Sequence, residues 1–128
     1  MGRSIVHPAM LRIAFVIGVI ALAAVLVATA SARIGWRDNA KRIRALTPAF
    51  LCIHRYEGAW NADTGNGYYG GLQMDKTFML TYGREFVRRW GWAHRWPPRV
   101  QILVAVRAHD SGRGFYPWPN TARRCGLI

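Results

Sequence analysis

The sequence predicts an α+β fold that is mainly helical: one small domain with a single short β-hairpin, preceded by an apolar N-terminal segment. Three observations carry this. A chain of 128 residues has room for one small domain. Between residues 47 and 111 the apolar positions recur at helical spacing in four separate stretches, each bounded by Pro, Asp or Gly. Gly65, Gly67, Gly70 and Gly71, with Asn66 among them, form the densest turn signal in the chain.

The elements follow in order. Arg3 and Arg12 precede an uncharged block of twenty residues, Ile13 to Ala32, that ends in Ala28-Thr29-Ala30 and Ala30-Ser31-Ala32. A basic start, an apolar core and small-x-small sites predict a signal peptide over residues 1–32. At about 20 residues the block also has the length of a membrane span, so a signal anchor over residues 13–32 is the alternative. Arg33, Arg37, Lys41, Arg42 and Arg44 follow it closely, against the positive-inside tendency for an anchor with its C-terminal side outside, which favours export with cleavage. Residues 33–46 read as a basic linker or short helix, and residues 47–128 as the folded domain.

Within that domain Thr47-Pro48 predicts a helix start, with Thr as N-cap and Pro in the first turn. Phe50, Leu51, Ile53, His54 and Glu57 then continue the helix to a stop at Gly58. Asn66-Gly67 is the expected hairpin turn. Asp75 is placed to cap a short helix ending near Gly83, and another runs from Glu85 to Trp90 and stops at Gly91. Pro97-Pro98 opens a run apolar nearly all round, from Val100 to Ala108, which predicts a buried central helix ending near Ser111-Gly112. The Pro- and aromatic-rich tail from Gly114 to Asn120 reads as an ordered loop.

Composition narrows the partners. The chain has 18 basic and 6 acidic side chains, and losing Arg3 and Arg12 with residues 1–32 leaves a net charge of +10 on 96 residues. Such a field favours anionic partners. Export makes nucleic acid a poor one and leaves anionic wall polymers or a membrane surface. Cys52 and Cys125, an even count in an exported chain, suggest one disulfide. Closing a loop of about 70 residues would constrain the unfolded chain by roughly 4 kcal/mol. No Cys or His spacing resembles a metal-ligand set, and no cofactor is expected. His54, His94 and His109 read as ordinary surface or helix histidines.

Glu57 is one of only two glutamates, at a helix end directly before the glycine- and tyrosine-rich turn. The negative end of the helix dipole and burial against Trp60 or Tyr68 would both disfavour its ionised form, as suits a general acid. Glycosidic hydrolysis normally uses two carboxyls. The candidates for a second are few: Asp63, which reads as a turn residue; Asp75, balanced between helix cap and substrate contact; and Asp110, at a helix end where its charge is unfavourable. Trp90, Trp92 and Trp96 read as packing anchors, whereas Tyr116 and Trp118 are better placed to edge a groove.

The run Thr64-Gly65-Asn66-Gly67-Tyr68-Tyr69-Gly70-Gly71-Leu72-Gln73, after a Glu and a Trp, resembles the transglycosylase-like domain of resuscitation-promoting factors, a compact branch of the lysozyme-like superfamily. Gln101-Ile102-Leu103-Val104-Ala105-Val106 and Trp118-Pro119 followed by a Cys are similar to further family motifs, so the resemblance covers about residues 47–128. It implies a lysozyme-like fold and cleavage of the MurNAc–GlcNAc bond of peptidoglycan by a single glutamate. That residue would protonate the leaving oxygen, then take the proton of the muramic acid C6 hydroxyl as a 1,6-anhydro ring closes. Carried over by position, Glu57 is the acid/base, and Trp60, Tyr68, Tyr69, Gln73 and Asp75 fall in the motif along the glycan groove, with Trp118 at its edge.

The chain also departs from the family. Glu57 stands three residues before Trp60, where the family usually has five. The family's first cysteine directly precedes its glutamate, whereas here Tyr56 does and Cys52 lies four residues earlier. Cys125 is late by about the same step, which implies a Cys52–Cys125 bridge displaced by one helical turn. Two other classes fit the composition: a non-catalytic peptidoglycan-binding module on a degenerate lysozyme-like fold, and a basic membrane-anchored protein whose charge is the functional element.

Overall fold

The computed structural model describes residues 37–128; residues 1–32, expected to be a signal peptide or signal anchor, lie outside the described residues. The chain divides into two units, Met1–Ala40 and Lys41–Ile128, and the second carries the fold. Its architecture is the small, mainly helical α+β type, with one two-stranded antiparallel hairpin. Among the described residues no helix is long and apolar enough to cross a membrane.

Residues 37–57 are helical (α1). The start expected at Thr47 is therefore not a start. The Thr47 hydroxyl donates to the Ile43 carbonyl at 2.7 Å, the bond of a mid-helix threonine rather than a cap. Pro48 is exposed, so water can serve the carbonyl left over by its missing N–H. Helical spacing explains the register: Ile43, Leu46, Phe50, Ile53 and Glu57 fall along one stripe, with Phe50 and Ile53 fully buried. The helix ends at Gly58, whose N–H reaches the His54 carbonyl.

The hairpin pairs β1 (Tyr68–Tyr69) with β2 (Met74–Asp75), Tyr68 opposite Asp75 and Tyr69 opposite Met74. Its turn is Gly70 to Gln73, not Asn66-Gly67. The Asn66-Gly67 loop reverses the chain one step earlier, between Asp63 and Tyr69, which form an isolated bridge. The Asn66 side chain accepts the Tyr68 N–H at 3.0 Å, an Asx turn that accounts for the strong sequence signal there.

Asp75 caps α2 (Lys76–Tyr82), its carboxylate accepting from Phe78 N–H at 2.7 Å. Gly83 and Gly91 bound α3 (Arg84–Trp90). The central α4 (Pro98–Ala108) opens at the expected proline pair and buries seven of its eleven residues. It runs into a wider turn, His109–Arg113, broken at Gly112. The tail is not all loop: α5 (Pro119–Arg124) starts directly after Trp118. Proline at its first position matches the usual N-terminal preference; the apolar spacing needed to announce a six-residue helix is absent.

Two anchors fix this frame. Cys52 and Cys125 form a disulfide, with Cα atoms 6.0 Å apart, that ties α5 to α1. Gln101, fully buried on α4, ties the hairpin to the core. Its Oε1 accepts from Gly71 N–H at 2.8 Å, and its amide donates to the carbonyls of Trp60, Ala93 and Trp96 at 2.9–3.0 Å. A Cβ at Gly70 would fall 2.4 Å from Gln101 Oε1, and one at Gly71 would fall 2.5 Å from His54 and 2.6 Å from Trp60. The Gly70-Gly71 pair is thus required by close approach, and Gly70 also by its φ of +75°.

Candidate functional site

Glu57 ends α1 half-buried, in the wall of a cavity of about 210 Å³. The remaining lining comes from Tyr68 and Gln73 of the hairpin and from Pro117 to Asn120 at the start of α5. A second cavity of about 140 Å³ shares Tyr68, Gln73, Pro117 and Trp118 and continues to Asp75 and Arg113. The two form one groove, with the hairpin as one wall and the α1–α5 seam as the other. Each part is below the roughly 300 Å³ typical of a closed small-molecule site.

The Thr121 hydroxyl donates to Glu57 Oε1 at 2.7 Å from a nearly buried position on α5. Gln73 is the one non-glycine residue with positive φ (+47°) among the described residues. Its amide donates to the Gly70 carbonyl at 3.0 Å and holds the side chain against the groove. A residue in this disfavoured region is held there by its surroundings, and such positions cluster at functional sites.

Of the expected site residues, the structure brings Glu57, Tyr68, Gln73, Asp75 and Trp118 together along the groove. It does not bring Trp60 and Tyr69 there. Successive strand residues point to opposite faces, so the adjacent tyrosines cannot share one groove. Tyr68 faces it, while Tyr69 stacks on Trp92 and packs near His94, ring centroids 5.8 and 5.6 Å away. Trp60 stacks on His54 at 3.8 Å over Gly71, a packing position. His54 is correspondingly more than a surface histidine: its Nδ1–H donates to the Gly71 carbonyl at 3.0 Å. Trp118 combines two positions. It is 4% exposed, packs edge-on to Phe50 and Phe78, donates to the Leu72 carbonyl, and still lines both cavities.

Three of the other carboxylates lie outside the groove beside basic side chains or a histidine. Asp110 pairs with Arg42 and His109. The Arg42 hydrogen bond holds its carboxyl below the usual range despite partial burial. At Glu85 partial burial raises the pKa, but the hydrogen bond and charge of Arg107 outweigh it and the net shift is downward. Asp63 lies 3.7 Å from His94. Among the described residues Glu57 and Asp75 are therefore the carboxylates of the groove, and Asp75 is engaged at one oxygen as a helix cap. Thr121, Asn120 and Arg113 are among the site residues that sequence reasoning missed.

Fold and groove together define a small lysozyme-like α+β domain with a carboxyl at the end of its first helix. No protein-family model matches the chain. It is 38% identical over 71 residues to resuscitation-promoting factor Rpf1 of Corynebacterium glutamicum, covering 55% of this chain and 35% of that protein. To resuscitation-promoting factor Rpf of Micrococcus luteus it is 33% identical over 70 residues, 55% of this chain and 29% of the relative. The chain thus carries a resuscitation-promoting factor-like domain and spans about a third of the length of these curated relatives.

Proposed function

We propose that this domain acts outside the cytoplasmic membrane, secreted or cell-wall associated, and cleaves the MurNAc–GlcNAc bond of peptidoglycan with Glu57 as its general acid/base. The observation that supports it best is the placement of Glu57: a half-buried carboxyl in the wall of a groove, backed by Thr121 and faced by Tyr68 and Gln73. Glu57 gives its proton to the glycosidic oxygen as the C1–O bond breaks, and the bonding pair leaves with that oxygen. The muramic acid C6 oxygen then bonds to C1, and its proton passes to Glu57. The products are a free 4-hydroxyl and a 1,6-anhydro end, with no water consumed. One carboxyl suffices for this sequence, which agrees with the commitment of Asp63, Glu85 and Asp110 elsewhere.

Aromatic and amide side chains suit a sugar polymer: the Tyr68 and Trp118 rings offer apolar faces, and Gln73 offers a directed donor and acceptor. Arg113 in the second cavity and the excess of arginine suit anionic wall polymers as secondary partners. Mass spectrometry of digested peptidoglycan tests the proposal. Anhydro ends are the expected products. Reducing ends would make the domain a hydrolase, and no products would leave a binding module.

A further inference from the structure

We propose that Thr121 is a positioning residue for Glu57, holding the carboxyl in one place in both of its protonation states; the inference rests on the acid/base reading of Glu57. Thr121 Oγ1 lies 2.7 Å from Glu57 Oε1 and 3.3 Å from the Trp118 carbonyl. A threonine hydroxyl has one proton to give and two lone pairs to offer. Against a carboxylate, the proton goes to Glu57 in a charge-assisted bond. Against a carboxylic acid whose transferable proton is on Oε2, the hydroxyl still donates to Oε1; with the proton on Oε1 it turns its own proton to the Trp118 carbonyl and accepts from Glu57. That carbonyl takes the Ala122 N–H at 2.8 Å through one lone pair, which leaves the other for Thr121. An acid that surrenders a proton and recovers one within a turnover needs such a partner, because its charge changes while its position must not.

Burial makes the contact consequential. Thr121 is 9% exposed, so water is a poor substitute for the lost hydroxyl. Its placement is also secured from outside. At six residues α5 is far below the length of an independently stable helix. The Cys52–Cys125 bond crosses between α5 and α1 one helical turn from the Thr121–Glu57 contact, and Arg124 lies over the Tyr56 ring at 4.0 Å. Residues 52, 56 and 57 of α1 thus meet 125, 124 and 121 in antiparallel order.

The test compares Thr121→Val, which keeps the shape and removes the hydroxyl, Thr121→Ser, which keeps the hydroxyl, and Glu57→Gln. Each is made in the full chain and assayed on soluble peptidoglycan strands for kcat and KM, with thermal melts alongside. A bond to a charged group at this position predicts a kcat loss of roughly 10- to 100-fold in Thr121→Val with KM unchanged, and recovery to within about threefold in Thr121→Ser. If Thr121→Val melts lower than the parent chain, Thr121→Ala measured below both melts repeats the comparison. Wild-type kcat in the hydroxyl-free variants beside an inactive Glu57→Gln overturns this inference alone, as does a Thr121→Ser that stays as slow as Thr121→Val. Wild-type activity in Glu57→Gln overturns the reading beneath it.

Discussion

The two walls of the groove are held in place by opposite means. The hairpin wall, with Tyr68, Gln73 and Asp75, is fixed by one buried amide: Gln101 bonds to four backbone groups, and two glycines let the turn close down on it. The α1–α5 wall, with Glu57 and Trp118, is fixed by a covalent link, a cation–π contact and one hydroxyl–carboxyl bond. In the first kind of wall, a side chain added at Gly70 or Gly71 clashes, and loss of the Gln101 amide leaves backbone groups unpaired. The second depends on few contacts, of which the covalent link is the strongest. The carboxyl stands on the linked wall, and Tyr68 and Gln73 stand on the wall that Gln101 holds.

Separate perturbation of the walls tests that difference. Replacing both cysteines, Cys52→Ala with Cys125→Ala, should cost about 4 kcal/mol through the loop of 73 residues that the bond closes. That corresponds to a melting temperature lower by on the order of 20 °C for a domain of this size. Hydrogen exchange at temperatures where the variant is folded should accelerate first in α5, with the hairpin still protected. Gln101→Leu should cost about 3 kcal/mol, since it leaves the Gly71 N–H and the Trp60 and Trp96 carbonyls without their side-chain partner, and its exchange should quicken at residues 68–75 instead. Equal loss of protection in both walls for either variant would erase the distinction.

Smaller effects sharpen the picture within each wall. Asp75→Ala should cost about 1 kcal/mol by removing the α2 cap, while Asp75→Asn keeps the cap and so nearly all the stability. A fall in glycan binding common to both variants would then report the carboxylate's charge in the groove. The smallest effect concerns Asp110, whose carboxyl is held below its usual range by Arg42. A depressed folded pKa contributes stability above the unfolded value, which is lost as pH falls through the folded one. Melting temperatures of the parent and Asp110→Asn should therefore differ at pH 6 and converge as the pH falls below the depressed folded pKa. Because the pair is largely exposed, that difference should shrink in high salt.

Much of the hairpin wall was legible in the sequence, because several of its features are marked locally even though Gln101 holds it from a distance. Adjacent glycines, an Asx turn and an N-cap aspartate each leave a residue-level signature at Gly70-Gly71, Asn66 and Asp75. The hairpin's turn was misplaced because Asn66-Gly67 bends the chain between Asp63 and Tyr69 rather than between the paired strands. Tyr69 followed Tyr68 into the expected site because the motif lists both, although strand alternation separates them. The helix start at Thr47 failed because a Thr-Pro pair on an exposed face does not interrupt a helix whose other side is packed on a core. Thr121 was the least legible residue, since its partner lies 64 positions away. A signal did exist: if Cys52 and Cys125 join antiparallel helices, one further turn brings position 121 opposite 56 and 57.

The central claim is that Glu57 is the carboxyl that cleaves the glycan. It is tested most directly by assaying Glu57→Gln against peptidoglycan while circular dichroism monitors the fold. The account predicts an unchanged spectrum and a loss of product release of roughly 100- to 10,000-fold, the usual contribution of a positioned general acid. A folded Glu57→Gln protein that still releases product at the wild-type rate would contradict it.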